Sequence, residues 1–237
     1  MVRLSERLKL IADEIIEGET MADIGTDHGF LPIYLWETGK CPHVIMTDVS
    51  RGSLDKALAD CGVEHPDEKF DLRLGDGLKV IGQGEVDDIV IAGMGGLLIG
   101  DIIEDDLTKS RSYKRFILQP RNNIGRLRNR LRTLGFMVTR ESLVREGRFI
   151  WEILTVEPDP VNQGEVREYS ACDDFPDTLA EFRNPLTAEY LEKKLALEEK
   201  ILGNIRNNSR DAEKEAEFTI ERIVQLRKLI TAMEVTK

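Results

Sequence analysis

Cysteine and histidine are scarce in this 237-residue chain, with three of each. Cys41, Cys61 and Cys172 are odd in number and widely spaced, with no Cys-x-x-Cys pair. That argues against a disulfide framework and suits a reducing, cytoplasmic setting. His28, His43 and His65 lack the spacing of metal ligands, so no metal is expected. No stretch approaches the ~20 apolar residues of a membrane span. The N-terminus, MVRLSERLKLIADEII, is charged and amphipathic, without the apolar run of a signal peptide. A Gly-x-x-x-x-Gly-Lys phosphate loop, a serine nucleophile elbow and an Asp-Pro-Pro-Tyr-type sequence are all missing.

What is present is an α/β rhythm. Ser5 predicts the cap of a first helix carrying Leu8, Ile11, Ile15 and Ile16 on one side. Strands are predicted over Thr20–Ile24, Val44–Asp48, Phe70–Leu74, Asp88–Ala92 and Arg115–Gln119. Helices are predicted between them, over Phe30–Glu37, Ser50–Asp60 (Leu54, Ala57 and Leu58 inward), Gly95–Leu107 and Asn123–Leu134. DIVIA, 88–92, is nearly all apolar, as a parallel strand covered on both faces should be. Met137–Val144 and Arg148–Val156 follow each other across Arg145-Glu146-Gly147, which reads as a β-hairpin. The expected fold is therefore α/β and Rossmann-like: a doubly wound, mostly parallel seven-stranded sheet with a terminal antiparallel hairpin, over residues 1–158.

Residues 159–237 change character. A partly structured linker runs to Pro176, and Asn184-Pro185 starts a Leu/Glu/Lys-rich helix reaching about Ile205. Asn207-Asn208-Ser209 breaks it. The next helix spaces Ala212, Ala216, Thr219, Ile223, Leu226, Ile230 and Met233 as a heptad seam. An antiparallel helical hairpin, a C-terminal coiled coil, is expected. Its plain reading is structural; substrate docking or dimerisation is the alternative, and the chain is expected as a monomer or weak dimer.

MADIGTDHGFLP, 21–32, looks like the glycine-rich turn between a first strand and a helix, but Asp27 and His28 interrupt the glycines. A pyrophosphate needs the full Gly-x-Gly-x-x-Gly, because its phosphates press against the backbone. An acid there repels phosphate and suits a cofactor with cationic groups, such as the amino or sulfonium group of S-adenosylmethionine. Asp48 ends the second strand, where an acid can accept from a ribose diol; an ordinary helix cap is the plainer reading. Asp76-Gly77 ends the third strand, where an acid can accept from an adenine amino group, or simply make a turn. Ala92-Gly93-Met94-Gly95-Gly96 follows the most apolar strand and brings backbone close to the cleft; tight helix–strand packing would use the same glycines. All four turns fall on the carboxyl edge of the sheet, where such folds bind ligands.

The net charge is −11, yet twelve Lys/Arg between Lys109 and Arg148 face only Glu141 and Glu146, a local +10. A solvated helix face would look alike, but the arginine excess points to a polyanion-binding surface. Arg121, Arg126, Arg128, Arg130, Arg132 and Arg145 are the candidate contacts of that surface.

Taken in order, LSERLKLIADEI, DIGTDHGFLPIYL, GDGL, IVIAGMGG, FILQPRNNIGRLRNRLRTLGF and EGRFIWEIL resemble the bacterial tRNA (adenine(22)-N(1))-methyltransferase family. Asn184-Pro185 and the following helix resemble that family's C-terminal region. The resemblance covers most of the chain and implies an adenosylmethionine-dependent enzyme that methylates N1 of a D-arm adenine in tRNA. It implies that Asp23, Gly25, Asp27, His28 and Gly29 form the cofactor loop. Asp48 and Val49 would hold the ribose, and Asp76 and Gly77 the adenine. Ala92, Gly93 and Met94 would border the methyl group and target base, with Gln119 and Pro120 facing the cleft. Asp27, Gly93 and Met94 are the catalytic candidates, and the six arginines of the polyanion surface would be the RNA contacts. Where the family often has Gly-Glu-Val, this chain has Thr47-Asp48-Val49, which keeps the acid on a shorter arm.

Three other readings compete. A nicotinamide-dependent dehydrogenase is disfavoured by the missing central glycine and the lack of a second catalytic domain. A small-molecule methyltransferase needs no basic surface. A non-catalytic adenosylmethionine-binding adaptor would show no turnover.

Overall fold

Side-chain parity along the strands splits the core in two. In the computed structural model, which describes residues 2–65, 67–162, 164–181, 184–208 and 212–235, seven strands form one sheet. They are β1 (Met21–Ile24), β2 (Val44–Asp48), β3 (Asp71–Leu74), β4 (Asp88–Met94), β5 (Arg115–Pro120), β6 (Phe136–Glu146) and β7 (Phe149–Pro158). Successive residues of a strand point to opposite faces. Met21, Val44, Met46, Val90 and Ile117 therefore enter one cluster, with Ile11 and Ile15 from the N-terminal segment and Leu31, Ile33, Ala57 and Cys61 beside them. Ala22, Ile24, Ile45, Ile89, Ile91, Phe116 and Leu118 enter the other, with Ile99, Ile103, Leu127 and Leu131. Each buried aliphatic or aromatic side chain contributes about 1.5–3 kcal/mol, which is why the central strands tolerate no polar face.

The covering helices on the first face are α1 (Glu6–Glu14), α2 (Phe30–Glu37) and α3 (Arg51–Glu64). On the second lie α4 (Gly96–Glu104) and α6 (Ile124–Thr133), with α5 (Leu107–Ser110) between them in sequence. The strand order is β3-β2-β1-β4-β5-β7-β6. β1 to β5 are parallel neighbours, and β7 runs antiparallel to both β5 and β6. Strand order reverses between β1 and β4, the place where doubly wound sheets open a crevice at their carboxyl ends.

Two helix expectations shift. Leu58 is 59% exposed, while Cys61 is buried beside Leu54 and Ala57, so the inward stripe of α3 runs 54-57-61. The helix expected over 95–107 stops at Glu104, because Asp106 leaves helical geometry and caps α5 by accepting from the Lys109 N–H at 3.0 Å.

The 159–176 stretch holds α7 (Ala171–Asp174), and α8 (Thr178–Glu181) follows it. The long helices are α9 (Thr187–Asn208) and α10 (Ala212–Val235), so α9 begins just after Asn184-Pro185 and runs through Asn207 and Asn208; Ser209 lies outside the described residues. They pair antiparallel, with Glu198 meeting Arg222 and Glu199 meeting Arg227. The Ala212 side chain lies outside those described; the seam holds at Ala216, Thr219, Ile223 and Leu226 and continues to the partly buried Ile230 and Met233, with Leu229 joining it. There α10 packs on Phe175, Leu179 and Leu143 as well as on α9, so the hairpin is docked onto the sheet domain. A buried charge cluster completes the joint. Arg128 of α6 meets Glu141 of β6 and Glu152 of β7, and Tyr190 of α9 donates to Glu152. Among the described residues no helix is long and apolar enough to cross a membrane, and no cluster of three or more His, Cys, Asp or Glu is placed for a metal.

Candidate active site

The turn after β1 bends sharply because three of its five residues are left-handed: Gly25 (φ 79°), Asp27 (φ 49°) and Gly29 (φ 69°). Aspartate is one of the few residues with a side chain that tolerates this region, so Asp27 stands in the conformation of the glycine it replaces. The Gly25 and Thr26 N–H groups both donate to the Thr47 carbonyl, at 2.8 and 3.0 Å, lacing the turn to β2. Asp27 is 58% exposed at its side chain and pairs with Lys56 at 3.0 Å. His28 is held by Asp60 at 2.8 Å and stacks on Phe30.

Asp23 is the buried acid of this turn. It accepts the Thr26 hydroxyl at 2.8 Å and forms no ion pair among the described residues. Burial pushes its carboxyl up to about 6; the Thr26 hydrogen bond opposes the shift and the negative charge of Asp48 adds to it. Asp48 sits at the end of β2 and accepts the Ser50 N–H at 2.8 Å, while Ser50 itself caps α3. Asp76 pairs with Lys79 at 2.7 Å, beside the left-handed Gly77 that packs against Ile102. At the end of β4 a register shift leaves Gly93 outside the ladder. Its N–H donates instead to Gln119 Oε1 at 3.1 Å, and Arg7 Nη1 donates to the same oxygen at 3.0 Å. Met94 lies over Gly25, where any Cβ would come within 2.4 Å of its methyl.

These turns enclose one cavity of about 600 Å³, within the usual range of cofactor sites. Asp23, Gly25, Asp27, His28, Asp48, Val49, Asp76, Gly77, Ala92, Gly93, Met94 and Arg121 all line it. Gly29 does not; it caps α2 and packs against Met46 and Ala57. Gln119 is buried behind the wall, buttressing Gly93, and Pro120 lines a neighbouring cavity. Sequence reading missed Arg7, Leu8, Phe30, Leu98 and Ile102 on the walls. Arg7 lies within LSERLKL, whose helical spacing marked only the apolar face.

The basic segment is largely neutralised. Among the described residues Lys114, Arg115, Arg128, Arg130, Arg132, Arg140 and Arg145 meet carboxylates, and Arg111 donates to the Leu134 carbonyl. Arg128 must leave the set of RNA contacts, because its guanidinium is 5% exposed and spent on Glu141 and Glu152. Arg130, Arg132 and Arg145 are held by Asp101 and Glu104, Asp173, and Glu189 respectively. Arg121 and Arg126 are exposed and have no carboxylate partner among the described residues.

A methyltransferase-domain family model matches residues 4–154, more than half of the chain. The chain is 35% identical over 156 residues to the tRNA (adenine(22)-N(1))-methyltransferase of Bacillus subtilis, spanning 66% of each chain. It superposes on a Streptococcus pneumoniae structure, a candidate tRNA (m1A22) methyltransferase in complex with S-adenosyl-L-methionine, at TM-score 0.81 and 30% identity, covering 97% of this chain and 100% of that one. This chain belongs to the tRNA (adenine(22)-N(1))-methyltransferase family. A further relative, M. capricolum TrmK in complex with S-adenosyl-homocysteine, aligns at TM-score 0.78 and 25% identity over 97% and 99% of the two chains.

The walls of this methyltransferase fit such a cofactor. A buried carboxylate with no ion-pair partner among the described residues, Asp23, suits a cationic amine. Asp48 stands at a strand end where a ribose diol can donate, and Asp76 with the apolar Leu98 and Ile102 suits a purine.

Proposed function

We propose that this chain transfers a methyl group from S-adenosylmethionine to N1 of adenine 22 of tRNA. The observation that carries the reading is the convergence of Asp23, Asp48 and Asp76, from three neighbouring strand ends, on one cavity that Gly93, Met94 and Arg121 also line. Bound adenosylmethionine supplies an electrophilic methyl on a sulfonium. Adenine N1 carries a lone pair, so no strong base is needed before attack, and the chain's work is positioning. The left-handed Gly93, pinned by Gln119, keeps the backbone beside the target base thin. Met94 and Gly93 would border the transferring methyl. Asp23, buried, with no ion pair among the described residues and only the field of Arg7 offsetting its charge, is the better partner for the cofactor's cationic amine; Asp27 already answers to Lys56. N1 lies on the pairing edge, so the adenine must be unpaired and turned into the cavity. A cytoplasmic location and a monomer or weak dimer go with this reading.

The test is methyl transfer from labelled adenosylmethionine to unmodified tRNA, mapped by primer extension. A stop at adenine 22 supports the reading. Transfer only to small metabolites, or none, overturns it.

A further inference from the structure

A second cavity, of about 590 Å³, opens between the β5–α6 turn with the first residues of α6, the start of β7, and the C-terminal segment with its long helices. Arg121 lines both cavities, so the two adjoin at that side chain. The second differs in chemistry from the first. Its ionic lining is four cations, Arg121, Arg126, Lys194 and Arg222, against Glu152 and Asp174. Both acids are already committed: Glu152 to Arg128 and Tyr190, Asp174 to Arg222 and the Tyr169 hydroxyl. Four aromatic rings, Phe149, Trp151, Tyr169 and Phe218, complete the wall. Arg126 stacks over Tyr169 with its guanidinium 4.8 Å from the ring centre, and Arg148 over Phe149 at 4.9 Å. Phe149 remains 50% exposed, and the buried Trp151 indole N–H has no acceptor among the described residues.

The distribution of charge is the telling feature. Arg115, Arg128, Arg130, Arg132, Arg140 and Arg145 are answered by carboxylates and Arg111 by the Leu134 carbonyl, whereas Arg121, Arg126 and Arg148 meet no carboxylate among the described residues; Arg126 and Arg148 stack on aromatic rings, and Arg121 lines the same cavity. Unanswered guanidinium groups bind phosphate, and exposed aromatic faces stack unpaired bases. An apolar or acidic peptide would use the rings or the cations, but a nucleotide uses both.

We infer that this cavity seats a nucleotide of the RNA next to the target adenine, its phosphate on Arg121 and Arg126 and its base against Phe149. The inference rests on the methylation reading above and extends it to a residue-level RNA path. With the adenine turned into the first cavity, the wall shared through Arg121 is where its neighbouring phosphate must pass.

Arg126→Ala and Phe149→Leu test it without touching the cofactor cavity. Binding of unmodified tRNA is measured by filter retention over a salt series, with adenosylhomocysteine calorimetry on each variant as the check on folding. Phe149→Leu keeps apolar bulk but loses the ring, and the tRNA Kd should rise roughly 5- to 150-fold. Arg126→Ala should reduce the salt slope by about 1, the signature of one lost phosphate contact. Cofactor affinity should stay with wild type in both. If wild type methylates tRNA but both variants keep its tRNA Kd, KM and salt slope, this inference falls while the methylation reading stands. If wild type neither binds nor methylates tRNA, the reading beneath it falls as well. Should Arg126→Ala lose cofactor binding through misfolding, the surface-exposed Phe149→Leu decides alone.

Discussion

Arg128→Ala should be a stability variant and not an RNA-binding one. In the wild-type chain the guanidinium bonds Glu141 at 2.8 Å and also Glu152, and its Nη1 donates to the carbonyls of Asp173 and Asp174 at 3.0 and 3.2 Å. Truncation leaves two buried carboxylates without their cation at the joint between the sheet and the C-terminal helices. Breaking one partner of a buried ion pair costs about 3–5 kcal/mol. For a chain of this size that corresponds to a fall in Tm of about 6–20 °C. The deficit should shrink in acid. Burial raises the Glu141 carboxyl above its ordinary value even beside Arg128. A carboxyl raised in the folded state binds its proton more tightly there than in the unfolded chain, so its penalty grows as pH rises through the folded pKa. Without Arg128 the shift is larger, and variant and wild type should lie closer at pH 4.5 than at pH 7.5. Calorimetric melting at both pH values, with tRNA binding measured well below either Tm, gives the readout. A variant with wild-type Tm and selectively weakened tRNA binding would refute the buried role.

Three further expectations concern the cofactor cavity. Burial pushes the Asp23 carboxyl up to about 6, so its attraction for a cationic amine is present above that value and lost as pH falls through it. Adenosylmethionine affinity by calorimetry should weaken from pH 7.5 to pH 5, and Asp23→Asn should be weak and flat; a flat wild-type profile would remove Asp23 from the cation's contacts. Asp48→Ala should weaken adenosylhomocysteine binding by about 1–3 kcal/mol, the scale of a lost charged hydrogen bond; unchanged affinity would end the ribose role. Gly25→Ala combines a left-handed φ of 79° with a Cβ 2.4 Å from the Met94 methyl. Strain of about 1–2 kcal/mol and a displaced Met94 should lower cofactor affinity, and adding Met94→Ala should recover part of it; no recovery would mean that Met94 does not press on the turn.

Much of the fold was legible because strands and helices announce themselves locally. DIVIA could only be a covered strand, and the short turn between the last two strands could only give a hairpin. The carboxyl-edge turns were equally readable, since Gly25, Gly77 and Gly93 punctuate strand ends and then adopt left-handed geometry. The slips have the same origin. Leu58 is apolar yet exposed, because helical phase relative to the sheet depends on how α3 docks. Asp27 drew attention as the odd residue, while the acid that burial perturbs is Asp23, four positions earlier.

By itself the sequence determined the alternation of strands and helices, the acids at three strand ends and the family. Those features depend on residue type and spacing along the chain, which local sterics and hydrophobic period convert directly into structure. Only the tertiary structure decided which charges remain free. An arginine's partner lies far along the chain, as Glu152 and Glu189 lie from Arg128 and Arg145, and Coulomb energy depends on distance in space and on burial, neither of which a run of basic residues reveals. The +10 stretch thus resolves into a buried joint, several answered surface pairs, and a small group of arginines beside aromatic rings next to the cofactor cavity.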